Sequence, residues 1–406
     1  MITKVMLAVS LLSVFITFVS CAPTPDFDSH ISSIVRPYRF SIAEWEFQTI
    51  PHEIKQRLSD KPQKADDAVT TYLSLIEQGK ALNSEIYMTN AIDNHSDTIE
   101  TELNTIQQEK TALKNTVVEI ITRQIKDVLA QEGIFNPIDN HLSLNVYFPP
   151  LSFTLENPPY LLVISPRDRI ESLKEIEIRQ GTNLEQIEDI EKKVDNLGVS
   201  SLVVELGGFG GTYPTLVSEN SSLRFTIDTA IEEWLHQYLV FKPLGFRYLL
   251  DVTGIATNYE IATINEAVAS MVSKEIGSMV YEKYYSHHEN IQNHPPNSGF
   301  DLNREMRDIR KTVDKFLAEG ETEQAEEFMR QKQQYLASMG YYIRKLNQAY
   351  FAFYGTYADS PTSIDPLGLE LKELRNQSPS LKDFLDTVAN LTCRQDLQHS
   401  LKLDKT

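Results

Sequence analysis

The chain of 406 residues holds only two cysteines, Cys21 and Cys393, so no disulfide framework organises its fold. Cations are also in short supply: 38 Lys and Arg stand against 57 Asp and Glu, giving a formal charge of −19. No segment gathers Lys and Arg as phosphate binding requires, which argues against a nucleic-acid partner. Internal repeats and low-complexity blocks are absent. The run Gly207-Gly208-Phe209-Gly210-Gly211 lacks both the dinucleotide spacing and the Lys-Ser/Thr ending of a nucleotide loop. It reads as a flexible turn or as an edge strand close to a substrate backbone. A di-iron carboxylate bundle needs Glu-x-x-His twice. Here Glu233 alone stands three residues before a histidine, with Asp396 before His399 the nearest second instance.

Long apolar runs are confined to the start, where residues 1–20 read MITKVMLAVSLLSVFITFVS with Lys4 before the run and Ser20 at its end. This pattern predicts an export signal, too short for a comfortable membrane span and followed at once by Cys21-Ala22-Pro23-Thr24-Pro25. Phe18-Val19-Ser20-Cys21 resembles a bacterial lipobox, with Phe18 where Leu is usual. Lipid attachment at Cys21, plain cleavage and an uncleaved anchor are the outcomes these residues allow. The expected location is the cell envelope or beyond. With 41% hydrophobic residues, the rest can bury a sizeable core in two associated lobes. The pattern divides it into a helical region at 21–140, a core at 141–285 and a second helical region at 286–406.

From Asp66 to Gly133 apolar residues recur at helical steps, with Ser96 as a cap and Leu103, Ile106, Leu113, Val117, Ile121, Ile125 and Val128 forming one stripe. Between residues 142 and 206 the period shortens. Leu144–Phe148, Tyr160–Ile164 and Ser201–Glu205 read as strands of one small sheet, interrupted by a helix opened by Thr182-Asn183-Leu184-Glu185 and closed by Gly198. Helices are expected near 223–241, 259–285, 303–337 and 340–357, the charged stretch 319–334 being a solvated face or hairpin arm. After Asp359 the pattern predicts turns and one short helix at 381–391. His287, His288, Glu289 and His294 read as a polar loop before Pro295-Pro296.

The most informative residues are Glu232-Glu233-Trp234-Leu235-His236. On a helix, residues four apart share a face, so Glu232 and His236 can grip one cation from consecutive turns with Glu233 beside it. Two ligands hold a metal weakly, and Thr263-Ile264-Asn265-Glu266-Ala267-Val268-Ala269 offers a third. Glu266 follows His236 by thirty positions, on the next expected helix, with Ala267, Ala269 and Ser270 small enough for close approach. Tyr259, Glu260, Asp251 and Glu275 are competitors for that place.

These two motifs, Thr229–His236 and Asn265–Ala269, resemble the gluzincin branch of the zincin metallopeptidases, and in particular bacterial exported proteins of the predicted aminopeptidase type. Glu232 stands where the family has the first histidine of His-Glu-x-x-His. The resemblance implies an α+β, zincin-like fold, mostly helical, with a small mixed sheet above the active-site helix. It implies Glu232, His236 and Glu266 as ligands of one zinc, Glu233 as general base, and a peptide or protein as substrate. A site with one imidazole and two carboxylates carries more negative charge than usual, which makes bound water less acidic and favours harder cations such as manganese. The oxyanion needs a further donor, for which Tyr341, Tyr342, Tyr350, Tyr354 and Tyr357 are candidates, Tyr350 foremost. A zincin-fold binding or scaffold protein that has lost activity with the first histidine is the competing expectation.

Overall fold

The computed structural model describes residues 27–42, 67–89, 96–136, 147–256, 258–286, 300–355, 362 and 366–403. The expected export segment, Cys21, the 144–146 part of the first expected strand, Tyr357 and the His287–His294 cluster lie outside the described residues.

In chain order the elements are helices α1 (Phe27–Val35), α2 (Ala68–Thr89) and α3 (Ser96–Gln131), strands β1 (Phe153–Leu155), β2 (Tyr160–Pro166) and β3 (Lys174–Ile178), helix α4 (Leu184–Asp195) and strands β4 (Val199–Glu205), β5 (Gly208–Phe209) and β6 (Thr215–Val217). Helices α5 (Leu223–Leu239), α6 (Pro243–Val252), α7 (Tyr259–Tyr285), α8 (Leu302–Ala318), α9 (Thr322–Ser338), α10 (Gln348–Tyr354), α11 (Leu367–Gln377), α12 (Leu381–Val388) and α13 (Arg394–Leu403) follow. The class is α+β, with helices dominant.

Among the described residues the strands form two small sheets, where the sequence pattern predicts one. In the first, β2 lies between β3 and β4 and is antiparallel to both. Successive side chains on a strand point to opposite faces, and both faces are covered. Leu162, Ile164, Ile176, Ile178 and Val203 pack with Ile31, Val35, Ile187 and Ile190 of α1 and α4. Leu161, Val163, Leu202 and Val204 pack with Ala349 of α10. The second sheet is mixed: β6 runs parallel to β1 and antiparallel to β5, and it lies against α5.

Several local expectations shift. Tyr147 and Phe148 are not in a strand, since Pro149 and Pro150 remove two ladder donors. The cap of α4 is Asn183 rather than Thr182. Asn183 Oδ1 accepts from the Gln186 amide at 2.9 Å, and Gln186 Oε1 accepts from the Asn183 amide at 3.0 Å. Thr182 instead donates to the Arg179 carbonyl at 2.8 Å. The stretch 303–337 is a hairpin of two helices, turned at Gly320, whose φ of +77° glycine adopts without strain. Within 340–357 only Gln348–Tyr354 is helical among the described residues, because Asn347 caps that turn through the Tyr350 amide at 2.9 Å. Arg344 is occupied by Glu191 at 2.6 Å. Past residue 366 there are three helices, not one.

Apolar packing also cuts across the expected regional boundaries. The largest cluster joins Val69 and Ile76 of α2 and Ile121, Ile125 and Leu129 of α3 to Ile231 and Leu235 of α5, Val268 and Val272 of α7 and Phe384 of α12. Helices α8 and α9 form a separate cluster with Phe351 of α10.

Candidate metal centre

Helix α5 starts at Ser222, whose Oγ accepts from the Phe225 amide. It buries Ile227, Ile231, Trp234, Leu235 and Tyr238 on one side. Trp234 donates its indole N–H to the Pro149 carbonyl at 2.9 Å, which fixes the rotation of the helix about its axis. The stripe left on another side carries Glu232, Glu233 and His236. Helix α7 starts at Asn258, whose Oδ1 accepts from the Ile261 amide at 3.1 Å.

The two helices lie antiparallel in close contact. Arg224 holds Asp228 through two bonds of 2.9 Å and reaches Ser278 Oγ at 2.7 Å, while one end further along His236 meets Asn265 and Glu266. Gly277 makes the approach possible, because a Cβ there would overlap the Asp228 carboxylate. Ala267, Ala269, Ser270 and Ser273 are likewise buried and small. The connection between α5 and α7 contains helix α6 rather than the plain loop that the spacing suggests.

This packing gathers Glu232, His236 and Glu266, whose potential ligand atoms all lie within 4.8 Å of one another. His236 Nε2 is 3.7 Å from Glu266 Oε2. On its other side, His236 Nδ1 is 2.8 Å from Asn265 Oδ1. With the amide oxygen facing the ring, Nδ1–H donates to it, so Nε2 is the nitrogen turned toward the two carboxylates and available to a metal. That is the tautomer a metal ligand needs, set by the hydrogen bond at the other ring nitrogen. Asn265 is fully buried and its Nδ2 has no partner, an arrangement that costs about 1–3 kcal/mol. The competitors are engaged elsewhere or open to solvent: Glu275 is bound by Arg375 at 2.6 Å, Asp251 accepts from the Asn258 amide, and Tyr259 and Glu260 are exposed.

Charge is concentrated here. Burial pushes the Glu232 carboxyl up to about 8, helped by Glu266 and Glu233 and opposed by His236. Glu233 is raised by burial to about 7, with Glu266 adding and the amide of Gly210 opposing. For His236, burial works against the charged ring, yet Glu266, Glu233 and Glu232 together raise its pKa. Carboxyl groups driven together this way are neutralised by protons or by a cation. One imidazole and two carboxylates suit a divalent metal of the first transition row, so the donor set fits such an ion.

The glycine run lies against Glu233, with Gly208 and Phe209 in edge strand β5 and Gly210 and Gly211 in a turn. A Cβ at Gly208 would come within 2.5 Å of Glu233 Oε1, and one at Gly210 within 2.6 Å of Oε2. A side chain at either position would displace the carboxylate end of Glu233.

Tyr350 makes no hydrogen bond or ring contact with this cluster. Its ring lies 4.5 Å from that of Tyr354 and 5.6 Å from that of Phe351, on a helix that packs on β2 and β4. Tyr341 packs at a tilt against Phe300 and Tyr342 is 85% exposed, so neither of these two is in contact with the cluster. Among the described residues the tyrosine at the cluster is Tyr248 of α6. Its hydroxyl donates to Glu266 Oε1 at 2.6 Å, and its ring stacks on His236 with centroids 5.6 Å apart. Sequence reasoning missed Tyr248 because α6 itself was not foreseen. It also gave Asn265 no role, although the residue adjoins Glu266.

Comparison with protein families, curated proteins and solved structures finds no match to this chain. The functional reading therefore rests on the residues themselves.

Proposed function

We propose that the protein is a metal-dependent peptidase of zincin-like type, with Glu232, His236 and Glu266 as ligands of one zinc and Glu233 as general base. The observation that carries this reading is the convergence of three ligand-bearing side chains from two helices, all potential ligand atoms within 4.8 Å, beside a third carboxylate, Glu233, held separately by Gly210. A bound divalent cation would supply polarisation of the scissile carbonyl and acidification of the attacking water. Glu233 takes the proton from that water and delivers it to the leaving amine. In the metal-free chain burial raises its carboxyl above the ordinary range, the direction that favours a base exchanging protons near neutral pH. Asn265 keeps His236 in the ligating tautomer. The two carboxylate ligands shift the preference somewhat toward manganese.

One observation favours a second reading, an inactive scaffold on the same fold. Glu232 is pushed up to about 8, so at neutral pH it can satisfy the cluster with a proton in place of a metal. Metal analysis separates the two. The peptidase reading expects close to one equivalent of zinc or manganese, lost in His236→Ala and Glu266→Ala. It further expects Glu233→Gln to retain metal while abolishing peptide hydrolysis. Native protein that holds no metal and takes none up supports the scaffold, and a Glu233→Gln variant that cleaves like the wild type removes Glu233 from its role. Export, with Cys21 as a lipid attachment point, is part of the proposal and rests on residues 1–25. Incorporation of labelled fatty acid, lost in Cys21→Ser, tests it.

A further inference from the structure

Helix α6 carries one residue, Tyr248, that touches two of the three candidate ligands. Its hydroxyl donates to Glu266 Oε1 at 2.6 Å, leaving Glu266 Oε2 as the oxygen that faces His236 Nε2 at 3.7 Å. Its ring lies over the His236 imidazole at an interplanar angle of 26°. The hydroxyl thus selects which carboxylate oxygen is free, and the ring limits how far the imidazole can tilt.

The placement of Tyr248 follows from Gly245. At Gly245 helix α6 passes so close to the end of α5 that a Cβ would overlap the Leu239 carbonyl. Gly245 and Tyr248 are three apart on α6, as are Leu239 and His236 on α5. One turn from the backbone contact, the two rings therefore meet on the same side of each helix. The start of α6 is pinned independently: Leu244 is fully buried and its amide donates to the Ala389 carbonyl at 3.1 Å.

From this we infer that Tyr248 is a positioning residue of the metal centre: it holds Glu266 as a ligand through one oxygen and clamps His236, with Gly245 setting its distance. The inference rests on the metal-site reading above and adds to it a clamp from a third helix. Partners that orient ligands contribute about 10- to 100-fold to metal affinity.

The test uses the full chain stripped of metal and titrated with Zn²⁺ and with Co²⁺, whose visible absorption reports ligand geometry. Tyr248→Phe keeps the stacked ring and removes the hydroxyl. It should bind Zn²⁺ about 10- to 100-fold more weakly and alter the Co²⁺ spectrum, while circular dichroism shows the fold retained. Gly245→Ala leaves the phenol intact but displaces it, and should weaken metal binding in the same direction, providing a second variant should the first not fold. Wild-type affinity and an unchanged Co²⁺ spectrum in Tyr248→Phe overturn the positioning role and leave the metal site standing. Failure of the wild type to bind either ion overturns both.

Discussion

In metal-free protein, raising the pH from 5 to 8.5 should lower stability, and the loss should be traceable to Glu232. Its carboxyl rises from an ordinary 4.5 to about 8 in the folded chain, and that of Glu233 to about 7. Between 4.5 and these values the native state still holds protons that the unfolded chain has released, so the free energy of unfolding falls with each step of pH. At about 1.4 kcal/mol per pH unit the Glu232 gap alone corresponds to about 5 kcal/mol. His236 adds in the same direction, since a histidine with a raised pKa stabilises the fold below its unfolded value and loses that contribution as pH rises through the folded one. The three groups interact, so the total should be about 3–5 kcal/mol rather than a sum of separate shifts. Urea unfolding of chelator-treated protein at half-unit pH steps measures it. General repulsion in a chain of charge −19 also weakens the fold at high pH, so Glu232→Gln is the control and should flatten most of the slope. A saturating divalent metal should flatten it too, by taking the place of the protons. Equal slopes in wild type and Glu232→Gln would refute the account of this cluster.

Three further outcomes are expected. Gly208→Ala should displace the Glu233 carboxylate, whose Oε1 would lie 2.5 Å from the new methyl. Peptide hydrolysis should fall about 100-fold with metal content unchanged, as steady-state kinetics beside metal analysis will show. Asn265→Ala removes the acceptor for His236 Nδ1–H and should lower zinc affinity about 10- to 100-fold by competition titration. Away from the site, Glu191 is nearly buried, binds Arg344 at 2.6 Å and accepts from the Val203 amide at 2.7 Å. Glu191→Ala leaves the Val203 amide without its acceptor and Arg344 with only the Val203 carbonyl, and should cost about 1–3 kcal/mol in chemical denaturation, without altering metal affinity.

Much of the local structure was legible because it depends on neighbours in the chain. The stripe from Val117 to Val128, the strand at Tyr160–Ile164 and the helix at Tyr259–Tyr285 follow from period alone. So does the pairing of Glu232 with His236 across one turn. What periodicity could not reveal was α6, a ten-residue helix opened by Pro243 and only partly covered, whose apolar residues look the same in a loop. Nor could it divide the strands between two sheets, since β1, β5 and β6 are two or three residues long and are defined by their partners. Tyr350 and Tyr354 look suitable as donors on a helical wheel, yet the helix that carries them, α10, packs on β2 and β4.

The sequence by itself determined which residues could bind a metal and which helices would carry them, because helix period and capping are properties of short segments. Only the tertiary structure decided that Glu266 would reach His236, since that depends on Gly277 admitting Asp228 against its backbone and on a run of small side chains between two helices. It alone gave Glu233 its glycine cradle and His236 its partners Asn265 and Tyr248. Those contacts join residues 12 to 29 positions apart that lie on separate elements, and they form only when the whole apolar core is buried.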